Sequence, residues 1–406
     1  MTPPEHCHAV WLHGRWVGTL HQRGDYSRFV FAPDYLTDPE RPVLGLIFEQ
    51  DLTARHAAAL RLPCWFSNLL PEGRLRDWIA ADRGVSPQRE MELLAHVGHD
   101  LPGAVRVTEV EEGEAEPDWA IAAPPEPPRE GRWRFSLAGV ALKFSMLAKG
   151  DRLTMPAFGA GGDWIVKLPD ATYPDVPRNE FTMMSLAGAV GIDVPDVRLV
   201  HRDEIDGLPS GVWPNREEWA YAVRRFDRGA DRVAVHIEDL AQVRNVYPDY
   251  KYHGNYETVA GLIYRGRDLD GLREFTRRLT LTILISNGDA HLKNWSLIYT
   301  DPRAPALAPA YDLVSTRPYL GDGEELGMKF AGSRRFETVW LGTFDRLERR
   351  LGVEAGLADE AATVVARVVE QWPRFADTLD GNPELQAAIA SSITDRSRSL
   401  RWKAGQ

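Results

Sequence analysis

Asp289, Asn294 and Asp312 are the residues on which a reaction could be built. The stretch "SNGDAHLKNW" follows the apolar run "LTLTILI", and polar groups at the end of a buried segment are costly unless something needs them there. Phosphoryl transfer from ATP needs an acidic group to orient the attacking hydroxyl and a neutral oxygen ligand to help hold Mg²⁺. The D-x-x-x-x-N spacing from Asp289 to Asn294 supplies both from one tight loop. A hard cation wants a second oxygen ligand of negative charge. "WSLIYTDPRAPALAPAYDL" reads as two short strands joined by a proline-containing turn, and it returns the chain to deliver Asp312. Alternation in "PAYDL" turns Asp312 away from Tyr311 and Leu313, which would anchor a strand end in the core. Taken alone, an Asp–Asn pair capping a turn is equally a structural device. His291 lacks histidine or cysteine partners at ligand spacing, which argues against zinc.

Order along the chain weighs more than any one motif. "SLAGVALKFS" carries Gly139 with Ala138 and Ala141 beside it, at a strand turn where backbone N–H groups could approach phosphates; a plain hairpin is the alternative. Lys167 lies inside the apolar strand "WIVKLP" and must reach a carboxylate or a phosphate, unless it lies at an edge with its amine in water. Glu180, at the start of a predicted helix, suits it as partner. Glycine turn, strand lysine, helix glutamate, connecting strand, aspartate, asparagine and second aspartate follow the order of a two-lobed kinase.

The elements that must position these groups are legible in outline. "AVWLHGRWVGTLHQRGDYSRFVFAPDYL" alternates apolar and polar residues and breaks at "HGR" and "QRGD", so it predicts a small antiparallel sheet. "DLTARHAAAL" and "EGRLRDWIAADRG" show helical spacing, the second with Leu75, Trp78 and Ile79 on one side and Gly84 as a stop. The acidic and then proline-rich "EVEEGEAEPDWAIAAPPEPPREG" reads as a linker. "NEFTMMSLAGAVG" predicts a helix bounded by Asn179 and Gly191, with "VRLVHRD" and "WAYAVRRFDR" as strands after it. "ADEAATVVARVVEQW" places Val364, Val365, Val368, Val369 and Trp372 on one helical stripe. The expected fold is α+β, a two-lobed kinase-like arrangement with an added N-terminal β-rich unit. Its segments are residues 1–108, a linker over 109–131, an N-lobe over 132–227 and a helical C-lobe over 228–406.

Composition excludes several classes. With 44% hydrophobic and 26% charged residues the chain is an ordinary globular one, and its two cysteines, Cys7 and Cys64, form no disulfide or metal pattern, as suits a reducing cytosol. A net charge of −11 argues against gripping nucleic acid alone, although "FAGSRRF" is locally basic. Neither an export signal nor a membrane span is expected, and a cytoplasmic location is.

These residues resemble the HipA-like serine/threonine kinases, toxins of bacterial toxin–antitoxin modules. The resemblance runs through "FSNLLPEGRLRDWIA", "VGHDLPGAVRV", "SLAGVALK", "WIVKLP", "RNEF", "VRRFDR", "HIEDLAQ", "NGDAHLKNWSL" and "APAYDLVST". It implies Asp289 as the catalytic aspartate, Asn294 and Asp312 as magnesium ligands, Lys167 on the nucleotide phosphates, and the backbone of Arg224, Arg225 and Phe226 as the adenine-contacting hinge. The expected ATP-binding set also takes in Ala138, Gly139, Val140, Lys143, Glu180, His291, Lys293 and Tyr311. Ser136 matches the family's autophosphorylated serine, whose phosphate would stand where ATP phosphates must lie. Ala141 and Leu142 replace the family's usual Gln and Glu ahead of Lys143, and Arg224 replaces an acidic hinge residue. The resemblance implies ATP and Mg²⁺ as cofactors and a protein substrate, with aminoacyl-tRNA synthetases the expected class. It also implies a HipB-like helix-turn-helix antitoxin, contact with DNA only through that antitoxin, and a dimer within that complex. The rival readings are a small-molecule kinase of the aminoglycoside or choline type, which needs no autophosphorylated serine, and an inactive kinase-fold co-repressor.

Overall fold

The structure is a computed structural model and describes residues 5–110, 142–150, 152–155, 161–208, 211–214, 216–321 and 323–401. Most of the expected linker, with Ser136, Ala138, Gly139 and Val140, lies outside the described residues.

Alternation at the start of the chain builds β1 (Glu5–Leu12), β2 (Arg15–Arg23) and β3 (Tyr26–Phe31), joined by turns at His13–Gly14 and Gly24–Asp25. His13 and Gly14 both take positive φ, as a tight hairpin matched to strand twist requires. β4 (His56–Ala59) and β5 (Val105–Val110) complete an antiparallel sheet in the order β4-β3-β2-β1-β5. The helix expected over "DLTARHAAAL" is absent, because its second half is edge strand β4, with Ala59 opposite Tyr26 and His56 opposite Phe29. A run of small alanines buries too little to hold a helix, whereas pairing with β3 satisfies its backbone and sets His56 edge-on against Phe48 at 4.7 Å. The Gly73–Arg83 helix forms as expected and stops at Gly84, φ +67.

A second sheet, in the order β10-β7-β6-β8-β11-β9, contains β6 (Lys143–Lys149), β7 (Arg152–Thr154), β8 (Trp164–Lys167), β9 (Val197–His201), β10 (Ile205–Asp206) and β11 (Trp219–Arg224). Both sheets feed one apolar cluster, in which Leu12, Trp65 and Phe66 join Phe144, Val166 and Ala220. The helix at "NEFTMM" begins at Val176, before the expected Asn179, since Pro177 in its first turn already has helical φ. Its Met183 and Met184 pack into the other cluster, with Leu279, Ile283, Val364 and Val368 of the Leu269–Leu284 and Leu357–Ala376 helices. Val369 does not join that stripe and is 46% exposed, one position round the helix from Val368. The expected α+β arrangement is present: a sheet-rich first half, then a helical half that also holds the small sheet β12 (His236–Asp239), β13 (Ser296–Tyr299) and β14 (Ala306–Leu307). Among the described residues no helix is long and apolar enough to cross a membrane.

Two buried polar clusters fasten the N-terminal unit to the rest. Arg225 pairs with Asp100 at 3.0 Å and Asp227 at 2.8 Å, and Asp227 also accepts the Gly103 N–H at 2.8 Å. Glu238, wholly buried on β12, accepts the Leu46 N–H at 3.0 Å, the Trp65 indole N–H at 3.2 Å and the Tyr299 hydroxyl. Burial pushes Glu238 up to about 7 in spite of these donors. A carboxyl that holds its proton more tightly folded than unfolded adds stability below its unfolded pKa of about 4.3, and that contribution is lost as pH rises through about 7. Glu238→Gln should therefore flatten the fall of the thermal midpoint between pH 4.5 and 7, and a slope equal to the parent's would contradict this.

Candidate active site

Lys167 ends β8 directly opposite Lys143 on β6 and Tyr221 on β11. Two buried ammonium groups facing each other are destabilising unless carboxylates sit between them. They do. Lys167 Nζ donates to Glu180 Oε1 at 2.6 Å and to Asp312 Oδ1, joining the sheet, the Val176–Ala189 helix and the segment after β14 at one point. Burial pushes Glu180 up to about 7 against the pull of Lys167. Burial acts the same way on Asp312, but Lys167 and then Lys143 outweigh it and hold Asp312 well below the usual carboxylate range. Lys143, desolvated by burial, falls to about 8.

The buried Leu269–Leu284 helix delivers the loop that carries Asp289. Gly288 N–H donates to Thr316 Oγ1 at 2.8 Å and Glu324 Oε1 at 3.1 Å, and a Cβ at Gly288 would stand 2.6 Å from the Glu325 carbonyl oxygen, a backbone atom that cannot swing away, so only glycine fits. The Asp289 N–H is held by Asn287 Oδ1 at 3.0 Å. Burial raises the Asp289 carboxyl, opposed by the hydrogen bond it accepts from Tyr252. Asn294 accepts the His291 N–H at 3.0 Å and donates from Nδ2 to Asp312 Oδ2 at 3.2 Å, so the two oxygen-bearing groups expected on a metal are already neighbours. Asp312 is not at a strand end, as alternation suggested: its φ is +57, a left-handed conformation that costs a non-glycine residue roughly 1 kcal/mol or more and clusters at functional sites. Tyr311 accordingly does not anchor the core opposite Asp312. It lines the same cavity, its hydroxyl donates to the Lys293 carbonyl at 2.8 Å, and its ring lies 5.6 Å from Phe226.

All candidate residues within the described part line one cavity of about 390 Å³: Lys143, Lys167, Glu180, Arg224, Arg225, Phe226, Asp289, His291, Lys293, Asn294, Tyr311 and Asp312. Their side chains are not equally free for a ligand. The Arg225 guanidinium is spent on Asp100 and Asp227, Arg224 is exposed and pairs with Asp196 at 3.3 Å, and the N–H groups of Arg224 and Arg225 donate to the Asp196 and Asp163 carbonyls at 2.8 Å. His291 is driven down to about 3 by burial and then by Lys251, so it is a neutral ring. Lys293 Nζ donates to the Asn68 carbonyl at 2.8 Å and pairs with Glu72 at 3.0 Å and Asp239 at 3.4 Å, so it faces the N-terminal unit.

Sequence reasoning missed Asn68, Glu72, Tyr252, Lys251 and Asp239. The "FSNLLPEG" stretch carried the signal for the first two without showing what it touched. Glu72 Oε2 also accepts Lys251 Nζ at 2.9 Å, and the two lysines overcome burial to hold its carboxyl down at about 2. Glu72→Gln leaves both buried ammonium groups short of charge and should lower unfolding free energy by about 3 kcal/mol. A denaturant midpoint equal to the parent's would contradict it.

Asp312 and Asn294 offer one carboxylate oxygen and one carboxamide oxygen with a spare lone pair, a donor set suited to Mg²⁺ taken together with phosphates. Among the described residues no cluster of three or more His, Cys, Asp or Glu forms a self-sufficient metal cage.

Residues 8–108 match the HipA N-terminal domain family and residues 135–372 the HipA-like C-terminal domain family. Over 394 residues the chain is 42% identical to the Sinorhizobium fredii protein named "Putative kinase Y4dM", across 95% of this chain and 94% of that one. It is 28% identical over 345 residues to the Shewanella oneidensis "Serine/threonine-protein kinase toxin HipA", across 75% of this chain and 74% of that one. A solved Shewanella oneidensis complex of HipA, HipB and operator DNA contains a chain that superposes with a TM-score of 0.70 at 22% identity, over 97% of this chain and 95% of that one; the likeness is one of fold.

Proposed function

The chain belongs to the HipA-like kinase family, and from that premise we propose that it transfers the γ-phosphoryl group of ATP to a serine or threonine hydroxyl of a cytosolic protein. The observation that carries this reading is the reach of Lys167 to both Glu180 and Asp312 in the cavity that Asp289 also lines. Asp289 accepts the hydrogen bond of the attacking hydroxyl and takes its proton as the new phosphate ester forms. Lys167, steered by Glu180, holds the phosphates, while the neighbouring rings of Phe226 and Tyr311 shape the nucleotide end of the cavity. Asp312 and Asn294 would hold Mg²⁺, which supplies positive charge against that developing on the phosphate oxygens. Phosphate placed on Ser136 would compete with ATP phosphates for the same cationic groups and switch the protein off.

The net charge of −11 supports an arrangement in which a small DNA-binding antitoxin, not this chain, supplies the phosphate contacts to an operator. An aminoacyl-tRNA synthetase is the proposed substrate class, by family resemblance. Phosphoproteomics after controlled expression tests the reading. New phosphoserine or phosphothreonine on a cellular protein is expected with the parent and not with an Asp289 variant, whereas phosphate found only on small molecules would favour an aminoglycoside- or choline-type activity.

A further inference from the structure

Tyr252 belongs to none of the family stretches, yet its hydroxyl donates to Asp289 Oδ1, one of the two oxygens with which a general base can receive an acceptor. Its position is built. The Leu292 N–H from the loop carrying Asp289 donates to the Lys251 carbonyl at 3.1 Å, the His253 N–H to the Tyr250 carbonyl at 2.8 Å, and Lys251 Nζ is anchored on Glu72 at 2.9 Å. These bonds fix the turn beneath Tyr252 against the catalytic loop. The ring meets His291 edge-on, with centroids 5.0 Å apart and planes at 81°, and is only half-buried, so it has solvent to swing into. Burial, and then Asp289, raise the phenol well above its ordinary range, so it stays protonated and remains a donor.

We infer that Tyr252 is a gating residue whose hydroxyl occupies the acceptor-hydroxyl position on Asp289 and must be displaced before a substrate serine, threonine or water can react. The inference rests on the kinase reading and adds regulation to the same site. A phenol and an aliphatic hydroxyl present the same O–H donor to a carboxylate, so an acceptor that approaches Oδ1 must compete with the phenol. Lys167, the group assigned to the phosphates, pairs with Glu180 and with Asp312, the group assigned to the ion, so ATP binding should not depend on Tyr252.

The test follows Mg²⁺-dependent hydrolysis of ATP by the full chain without any acceptor protein, together with direct ATP binding. Removing the hydroxyl in Tyr252→Phe opens space for a water that inherits the hydrogen bond to Asp289. The hydrolysis rate constant should rise roughly tenfold, the equilibrium factor of one hydrogen bond to a charged group, with the KM for ATP unchanged. Tyr250→Phe, at a neighbouring exposed tyrosine, should leave both unaltered. If the parent and Tyr252→Phe bind ATP equally and hydrolyse it at the same rate, or the variant is slower, the gate is refuted and the kinase reading stands. If neither protein binds ATP, that reading falls and the gate falls with it.

Discussion

Asp289→Asn is expected to abolish phosphate transfer while leaving the fold and ATP binding in place. The substitution keeps the side chain's shape and an oxygen to accept the Tyr252 hydroxyl, but removes the group able to take the acceptor's proton. General-base contributions of this kind are worth about 10² to 10⁴ in rate, so transfer of labelled γ-phosphate to the chain itself or to its target should drop by at least about 100-fold. Burial already disfavours the ionised form of Asp289, so a neutral amide should cost little or no thermal stability. A variant that labels at the parental rate would show that Asp289 is not the base, and one that unfolds would show that its charge is structural.

The second large effect is expected at Lys167, whose ammonium is the common partner of two carboxylates. In Lys167→Met the carboxylates of Glu180 and Asp312 lose the cation that bonds both and keep only Lys143 nearby, in a site where charges cannot be solvated cheaply. Breaking a buried pair from one side typically costs about 3 to 5 kcal/mol, and the phosphates lose their main positive contact. Unfolding free energy should fall by that amount, and kcat/KM for ATP by about 100-fold or more. Glu180→Gln should be milder on both counts, because burial already brings Glu180 up to about 7 and an amide oxygen can still accept from Lys167. Urea denaturation and steady-state kinetics on both variants give the ranking, and equal losses at the two positions would contradict it.

What was legible in the sequence was what local chemistry decides. A lysine in an apolar strand demands a carboxylate, and Lys167 has two; D-x-x-x-x-N closes a tight loop, and Asn294 does so through the His291 N–H. Hairpin turns at His13–Gly14 and Gly24–Asp25 and the stop at Gly84 follow from backbone preference alone. The misreadings share a cause. "DLTARHAAAL" has helical spacing, but pairing with β3 decides its form. Asp312 sits at positive φ with its carboxylate held by Lys167 and Asn294, 145 and 18 positions away, and no alternation rule sees them. Two partners of Lys293, Asn68 and Glu72, lie on the N-terminal unit, where Asn68 is 225 positions distant, so a motif centred on the loop could not reveal that this lysine is already engaged. Tyr252 was invisible for the same reason, since only the fold puts its hydroxyl on Asp289.

The central claim is that groups from β8, from the loop after the Leu269–Leu284 helix and from the segment after β14 act on one nucleotide. The most direct test is a crystal structure of the full chain with Mg²⁺ and a non-hydrolysable ATP analogue. The account predicts phosphates against Lys167, the ion on Asp312 and Asn294, and the terminal phosphate facing Asp289. A nucleotide bound elsewhere, or a cavity that stays empty at saturating analogue, would contradict it.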